Sequence, residues 1–571
     1  LPIRLRPLVL AALAATQLGA PVAAQDGLAG PYLAGQVASF HNDYEAAAQY
    51  YAQALLRDPS NLSLLENATL AFIGLGQVDK AVPIARRIQQ AGASSQAADM
   101  VLLADQVKRG RFDALLDDQE AGLSIGPLAD RLLSAWAQFG AGRMSEAING
   151  FDEAANDPGL GLFGAYHKAL ALASVGDFEG AVEIFESGNG DGLRYTRRGA
   201  MANIAVLSQL ERNDEARQLI TDLFGRDLDP GMADIAAKLD AGEALPFETI
   251  RDGADGAAEV FFTVAEAVNG EADDAFTLLY ARLAEFLRPD HVDAILLSAD
   301  LLEAQQRYDL AARAYAAVPV DDPAYYAAEL GRANTLERSG KPDAAVEVLA
   351  SLAKDYPSVP IVQTTLGDTL SGLRRFEEAT AAYDAAIGLF SETTPSQWYI
   401  YYARGITFER RQLWPQAEAD FRKALELSPD QPRVLNYLGY SLVEKRIKLD
   451  EALDMIERAV AGRPDDGYIT DSLGWVLYRL GRFDEAVPHM ERAVELMPID
   501  PIINDHLGDV LWKVGRKLEA EFQWKRALSL VDPEDIPVEL SPERIRRKLD
   551  VGLDVVLDEE GAEPLSVADG N

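Results

Sequence analysis

The five histidines, His41, His167, His291, His489 and His506, are the side chains best suited to metal ligation or proton transfer. No two of them stand at ligand spacing, and no His-Glu-x-x-His run occurs, so each reads as a packing or surface residue. The chain has no Cys, which excludes disulfides, thiolate metal sites, cysteine nucleophiles and lipid attachment through a Cys. No Gly-rich loop runs into Lys-Ser/Thr to cradle a phosphate, and no Ser sits in a nucleophile elbow. The run from Ser187 to Gly192 offers oxygens at calcium-loop spacing. Its twelfth position, however, is Arg198, where a bidentate Glu is needed, so it reads as a turn. With 91 Asp and Glu, neighbouring carboxylates arise everywhere by composition and mark no acid–base pair. The expectation is a protein that is not an enzyme and holds no cofactor or metal.

The formal net charge of −38 excludes nucleic acid as a partner, because phosphates are gripped by basic stripes and repelled by this surface. A hydrophobic share of 48% excludes wholesale disorder, and 571 residues exceed one compact core. At the N-terminus, Arg4 and Arg6 precede the apolar run Leu8–Ala15, and Val22-Ala23-Ala24 precede Gln25. Basic, apolar and small-residue regions in that order predict an export signal over 1–24, cleaved near Ala24, and a periplasmic mature chain without an integral membrane span. The alternative is an ordinary N-terminal helix.

The elements that would position a binding surface follow from a period. One small residue recurs at Ala47, Ala81, Ala147, Ala181, Ala216, Ala275, Ala311, Ala345, Ala379, Ala417, Ala452, Ala486 and Ala520, with Leu115 in the slot after Ala81. Most intervals are 34 residues, with one of 59 between Ala216 and Ala275 and one of 38 before Ala417. Around it recur Leu-Gly pairs (Leu366-Gly367, Leu473-Gly474, Leu507-Gly508), then Gly481 or Gly515, a large apolar residue (Phe376, Phe483) and a late small one (Ala386, Ala493, Ala527). Small residues let two helices approach closely, large ones fill the space beside them, and Gly eases the turn. Pro429 and Pro498 end second helices.

This set resembles the tetratricopeptide repeat family over roughly residues 28–533. The resemblance implies an all-α, right-handed superhelical solenoid of about fourteen helix–turn–helix repeats. The domain reading is a degenerate N-terminal array over 25–224, a junction over 225–255 marked by Pro230, Gly231, Gly242, Pro246 and Gly253, and a C-terminal array over 256–533. A capping helix over 534–557 starts at Ser541-Pro542 and carries Ile545, Leu549, Leu553 and Val556 on one face; an acidic disordered tail covers 558–571.

In the family the first helix of each repeat lines the concave groove. Carried over slot by slot, that implies a partner-binding surface made of Tyr399, Tyr402, Asn436, Tyr440, Tyr468, Asp471, Trp475, Tyr478, Arg479, Asp505, Asp509 and Trp512. Tyr, Trp and Arg carry interface energy because they bury large area with few rotors and keep a polar tip. The alternative is that some of these rings pack against neighbouring first helices, with Trp512 meeting the terminal helix. Asp471, Asp505 and Asp509 would oppose a free carboxylate, so capture of a chain's C-terminus is not expected.

The run from Asn436 to Ala527 is similar to bacterial periplasmic and outer-membrane tetratricopeptide adaptors of the carboxyl-terminal processing protease. That resemblance implies a scaffold that binds other proteins through its groove and presents substrates to an envelope protease. The alternative is a structural scaffold in envelope assembly or polysaccharide export.

Overall fold

The computed structural model describes residues 28–187, 196–225, 228–533, 536 and 540–561. Among them are thirty-one α-helices, one short 3-10 turn and no strand. The expected signal over 1–24 and most of the calcium-like run lie outside the described residues.

The period reappears in the backbone. Left-handed residues occur at Asn42, Gly76, Gly110, Gly142, Gly176, Glu211, Gln306, Gly340, Arg374, Gln412, Arg446, Gly481 and Gly515. Each ends a helix–helix turn five or six residues before a small-residue slot. The hairpin geometry demands this conformation even where the residue is not Gly, at a cost of about 1 kcal/mol or more. Slot residues from Ala47 to Ala520 are almost completely buried; Ala275, partly exposed, is the exception. At Gly405 and Gly508 the first helix closes on its partner: a Cβ would come within 2.7 Å of the Phe421 ring and 2.4 Å of the Trp524 ring. The lengthened loop before Ala417 holds a capped 3-10 turn, Pro395–Gln397.

The contacts divide the chain into two compact units, one ending at Pro357 and one beginning at Ser358. In the first unit the helices Leu62–Gly74, Gln96–Lys108, Pro127–Gly140 and Gly161–Ser174 are the first members of their repeats. The later hairpin Gly253–Val268 and Asp274–Leu287 packs across them. Gly256 lets it lie on Trp136, where a Cβ would meet the indole at 2.2 Å. This face of the N-terminal repeats is therefore filled by the chain itself.

That packing corrects the junction expected at 225–255. The segment holds the helix Pro230–Asp240, whose Met232, Ile235, Ala236 and Leu239 are buried. Beyond it, the Ser208 hydroxyl accepts from the Leu245 N–H, Arg198 and Arg288 donate to the Thr249 carbonyl, and Ile250 is buried. Glycines and prolines there shape a packed crossover inside the first unit.

The second unit stacks the first helices Pro360–Gly372, Trp398–Arg410, Pro432–Glu444, Gly467–Arg479 and Pro501–Lys513. Each is followed by its second helix, the last being Lys517–Leu530. Asp466 and Asp500 cap their first helices, and Pro360, Pro432 and Pro501 open theirs. The cap is two helices, Pro542–Val551 and Leu553–Glu559, rather than one. Glu559 and Glu560 pair with Arg547 and Arg544, so the ordered chain runs past 558; residues 562–571 lie outside the described ones.

Candidate functional site

The two units treat their first-helix faces differently. In the first, the crossing hairpin is locked by a buried polar cluster. Glu259 accepts from the Tyr166 hydroxyl at 2.9 Å and from Arg198, whose guanidinium lies 3.0 Å away. His291 Nδ1 accepts from the Ala294 N–H, so its Nε2 carries the proton that faces Glu259 at 3.3 Å. Burial pushes the Glu259 carboxyl up, but Arg198, His291 and His167 outweigh it and hold the carboxyl well below the ordinary range. Burial lowers the His167 pKa to about 4; its Nδ1 accepts from the Trp136 indole at 2.9 Å. A cavity of about 590 Å³ lies near this cluster, lined by Arg198, Arg288 and Asp293 among others. Both arginines are engaged in holding the crossover, which leaves that cavity a structural seam.

In the second unit an open pocket of about 430 Å³ lies on the first-helix face. It brings together four of the expected residues: Asn436, Tyr440, Tyr468 and Asp471. Pro432 starts one helix and the Asp466 cap another. Adjacent helices thereby present Asn436 and Asp471, which occupy the same slot 35 residues apart. Tyr468 is 56% exposed, unusual for so large a ring. The Asn436 side-chain carbonyl is buried without a hydrogen-bond partner. Glu409, Arg410, Glu444 and Lys445 add charged groups to the walls. Lys445 stands 4.8 Å over the Trp414 ring.

Trp475 and Arg479 sit beside the pocket rather than in it. Trp475 donates to Glu444 and stacks on His506, a pocket residue, at 4.0 Å between ring centres. Arg479 lies 3.8 Å from Glu444. Tyr399 and Tyr402 stand one repeat earlier and do not line the pocket. Tyr399 is 41% exposed, and Tyr402 packs against Trp398, Phe421 and Tyr437.

Four expected groove residues are instead covered by the C-terminal cap. Lys548, fully buried, places its ammonium 2.8 Å from Asp505 and 2.6 Å from Asp509, 5.7 Å above the Trp524 ring. Trp524 also donates to Asp509 at 2.9 Å. Burial, then the neighbouring Asp509, raises the Asp505 pKa. Tyr478 is 2% exposed, its hydroxyl pKa pushed up by burial and by Asp509. Trp512 donates to Asp554 and packs against Gly552. The reason is that a first-helix slot at the end of an array has no next repeat to face, so the terminal helices take that place.

His506 was not legible as a site residue. Its Nδ1 lies 3.0 Å from Asp471, a partner 35 residues away on the preceding first helix. Burial opposes its charge, but Asp471, Asp505 and Asp509 together raise its pKa. Among the described residues no cluster of His, Asp or Glu has the arrangement of a metal site, and no helix is long and apolar enough to cross a membrane.

Comparison with known proteins finds the same repeat in parts of the chain. Tetratricopeptide repeat models match residues 32–96, 296–360, 364–432 and 471–500. A TPR repeat-containing protein of Pseudomonas aeruginosa is 30% identical over 156 residues, 27% of this chain and 26% of that protein. Bacteriophage adsorption protein A of Escherichia coli K12 is 35% identical over 80 residues, 14% of this chain and 8% of its own length. The chain thus spans about a quarter of one relative and under a tenth of the other. Among solved structures, YrrB, described as a TPR protein with an unusual peptide-binding site, is 23% identical; the match covers 32% of this chain and 93% of YrrB at a TM-score of 0.27. The chain is an all-helical protein that carries tetratricopeptide repeats in both of its compact units.

Proposed function

We propose that the chain is a non-catalytic scaffold that captures a segment of another protein in the pocket formed by Asn436, Tyr440, Tyr468 and Asp471. One observation carries this reading. The first-helix face of the N-terminal repeats is filled by the hairpin 253–287, whereas that of the second unit keeps an open pocket with an exposed ring and an unpaired amide oxygen. A buried acceptor without a partner costs about 1–3 kcal/mol, which an incoming N–H donor would relieve. The finer reading is a periplasmic adaptor that presents its captive to an envelope protease. It rests on the predicted export signal and on the similarity of the 436–527 run to such adaptors.

The test is capture from envelope extract by the full chain. Tyr440→Ala with Tyr468→Ala should lose the partner while the melting temperature stays near wild type, because Tyr468 is exposed and Tyr440 only partly buried. A photo-reactive residue at position 468 should cross-link the captive. Undiminished capture by the double variant would reject the pocket as the site.

A further inference from the structure

The second unit shows what its first-helix face accepts, because one stretch of that face is already occupied. The occupant is the chain's own helix Pro542–Val551, with four basic residues, Arg544, Arg546, Arg547 and Lys548. Lys548 enters between Asp505 and Asp509, and Arg544 lies 3.6 Å from Asp509. Ile545, fully buried, supplies the apolar contact. Acidic slots, an aromatic wall at Trp512 and Trp524, and a basic amphipathic segment thus form one complementary set.

The open pocket repeats these elements one repeat earlier. Asp471 stands 34 residues before Asp505, in the same slot of its helix. Glu409 and Glu444 add two carboxylates to the walls, beside Arg410 and a Lys445 whose ammonium is turned over the Trp414 ring, and Tyr440 and Tyr468 supply the rings. His506 and Ile502, from the same helix as Asp505, form the boundary between pocket and cap, so the two surfaces are continuous. The chain's charge of −38 would draw a cationic segment toward this face from a distance.

We infer that the pocket takes a lysine- or arginine-bearing amphipathic segment of the partner protein, seated beside the cap as the cap's own basic helix is seated at Asp505 and Asp509. This rests on the pocket being the capture site and names the chemistry of what it captures. The partner's cation lies against Glu444, Glu409 and the outer side of Asp471, and its apolar residues lie against Tyr440 and Tyr468.

The test uses the full chain and a set of fluorescein-labelled ten-residue amphipathic peptides that differ only at their polar guest positions: lysine, glutamine or glutamate. Anisotropy should show the lysine peptide binding at least tenfold more tightly than the glutamate one. Glu444→Gln and Asp471→Asn should each weaken it several-fold; Glu444→Gln lies outside the cluster that holds the cap, so its effect is not one of folding. Equal binding of lysine and glutamate peptides overturns the inference and leaves the capture pocket standing. Tight lysine binding that neither substitution diminishes is diffuse attraction to an acidic surface, and it overturns the inference as well. Absence of lysine-peptide binding also overturns it, while the Tyr440 and Tyr468 capture experiment judges the pocket separately.

Discussion

At the scale of single residues, the second unit buries one cluster of titratable groups, Asp471, Asp505, Asp509, His506 and Lys548. Lys548→Met removes the one ammonium shared by two buried carboxylates, and stripping one partner from a buried ion pair costs about 3–5 kcal/mol. Hydrogen exchange should show residues 541–559 losing protection first, before the repeats. His506 gains its partner Asp471 only in the folded state, and its pKa is raised above the ordinary 6.5 of a free imidazole. Its contribution is therefore complete below pH 6.5 and is lost as the pH rises through the folded value. His167 runs the other way: burial lowers it from 6.5 to about 4, so its site is stable above pH 6.5 and weakens as the pH falls toward 4. The shift corresponds to up to about 3 kcal/mol. Urea unfolding across this range should show the acid slope flatten in His167→Gln and the alkaline slope flatten in His506→Gln.

At the scale of elements, the cap decides which aromatic rings are surface and which are core. Tyr478→Ala opens a cavity under the cap and should destabilise the second unit by about 3 kcal/mol or more, whereas Tyr468→Ala should change its stability little. Thermal melts of the two single variants check this directly, and equal melting temperatures would mean the cap does not cover Tyr478. The joint between the cap helices depends on Gly552, which has φ of 86° and whose Cβ would come 2.4 Å from the Trp512 ring. Gly552→Ala should therefore loosen the cap by about 1–3 kcal/mol, read as faster exchange in 541–559 with the repeats unaffected.

At the scale of the whole molecule, the chain fills much of its own first-helix surface, once with a hairpin and once with a cap. The hairpin's lock joins Tyr166, Arg198, Glu259 and His291, residues up to 125 positions apart, so the first unit should unfold as one cooperative block. Limited proteolysis should spare residues 243–252, whose carbonyls are held by Arg198, Arg288 and Gln209. Early cleavage there would show that the crossover is loosely held after all.

The repeat period, and with it the helix–turn–helix fold, was legible in the sequence because it is written in local terms. Thirteen alanines and their Leu-Gly partners meet residues in the same or the adjacent helix, and that packing repeats wherever the pattern does. Asn436, Tyr440, Tyr468 and Asp471 could be placed on one face for the same reason. Tertiary structure alone decided which slots stay open. Asp505, Asp509 and Tyr478 have the same spacing as open positions, and only the return of Lys548 and Arg544 from 35 and more residues away buries them. The glycines and prolines of 225–255 likewise read as a break, since nothing local announces that Arg288 will bind the carbonyls there. A contact between distant segments depends on both partners and on the path between them, and a repeat pattern carries no record of either.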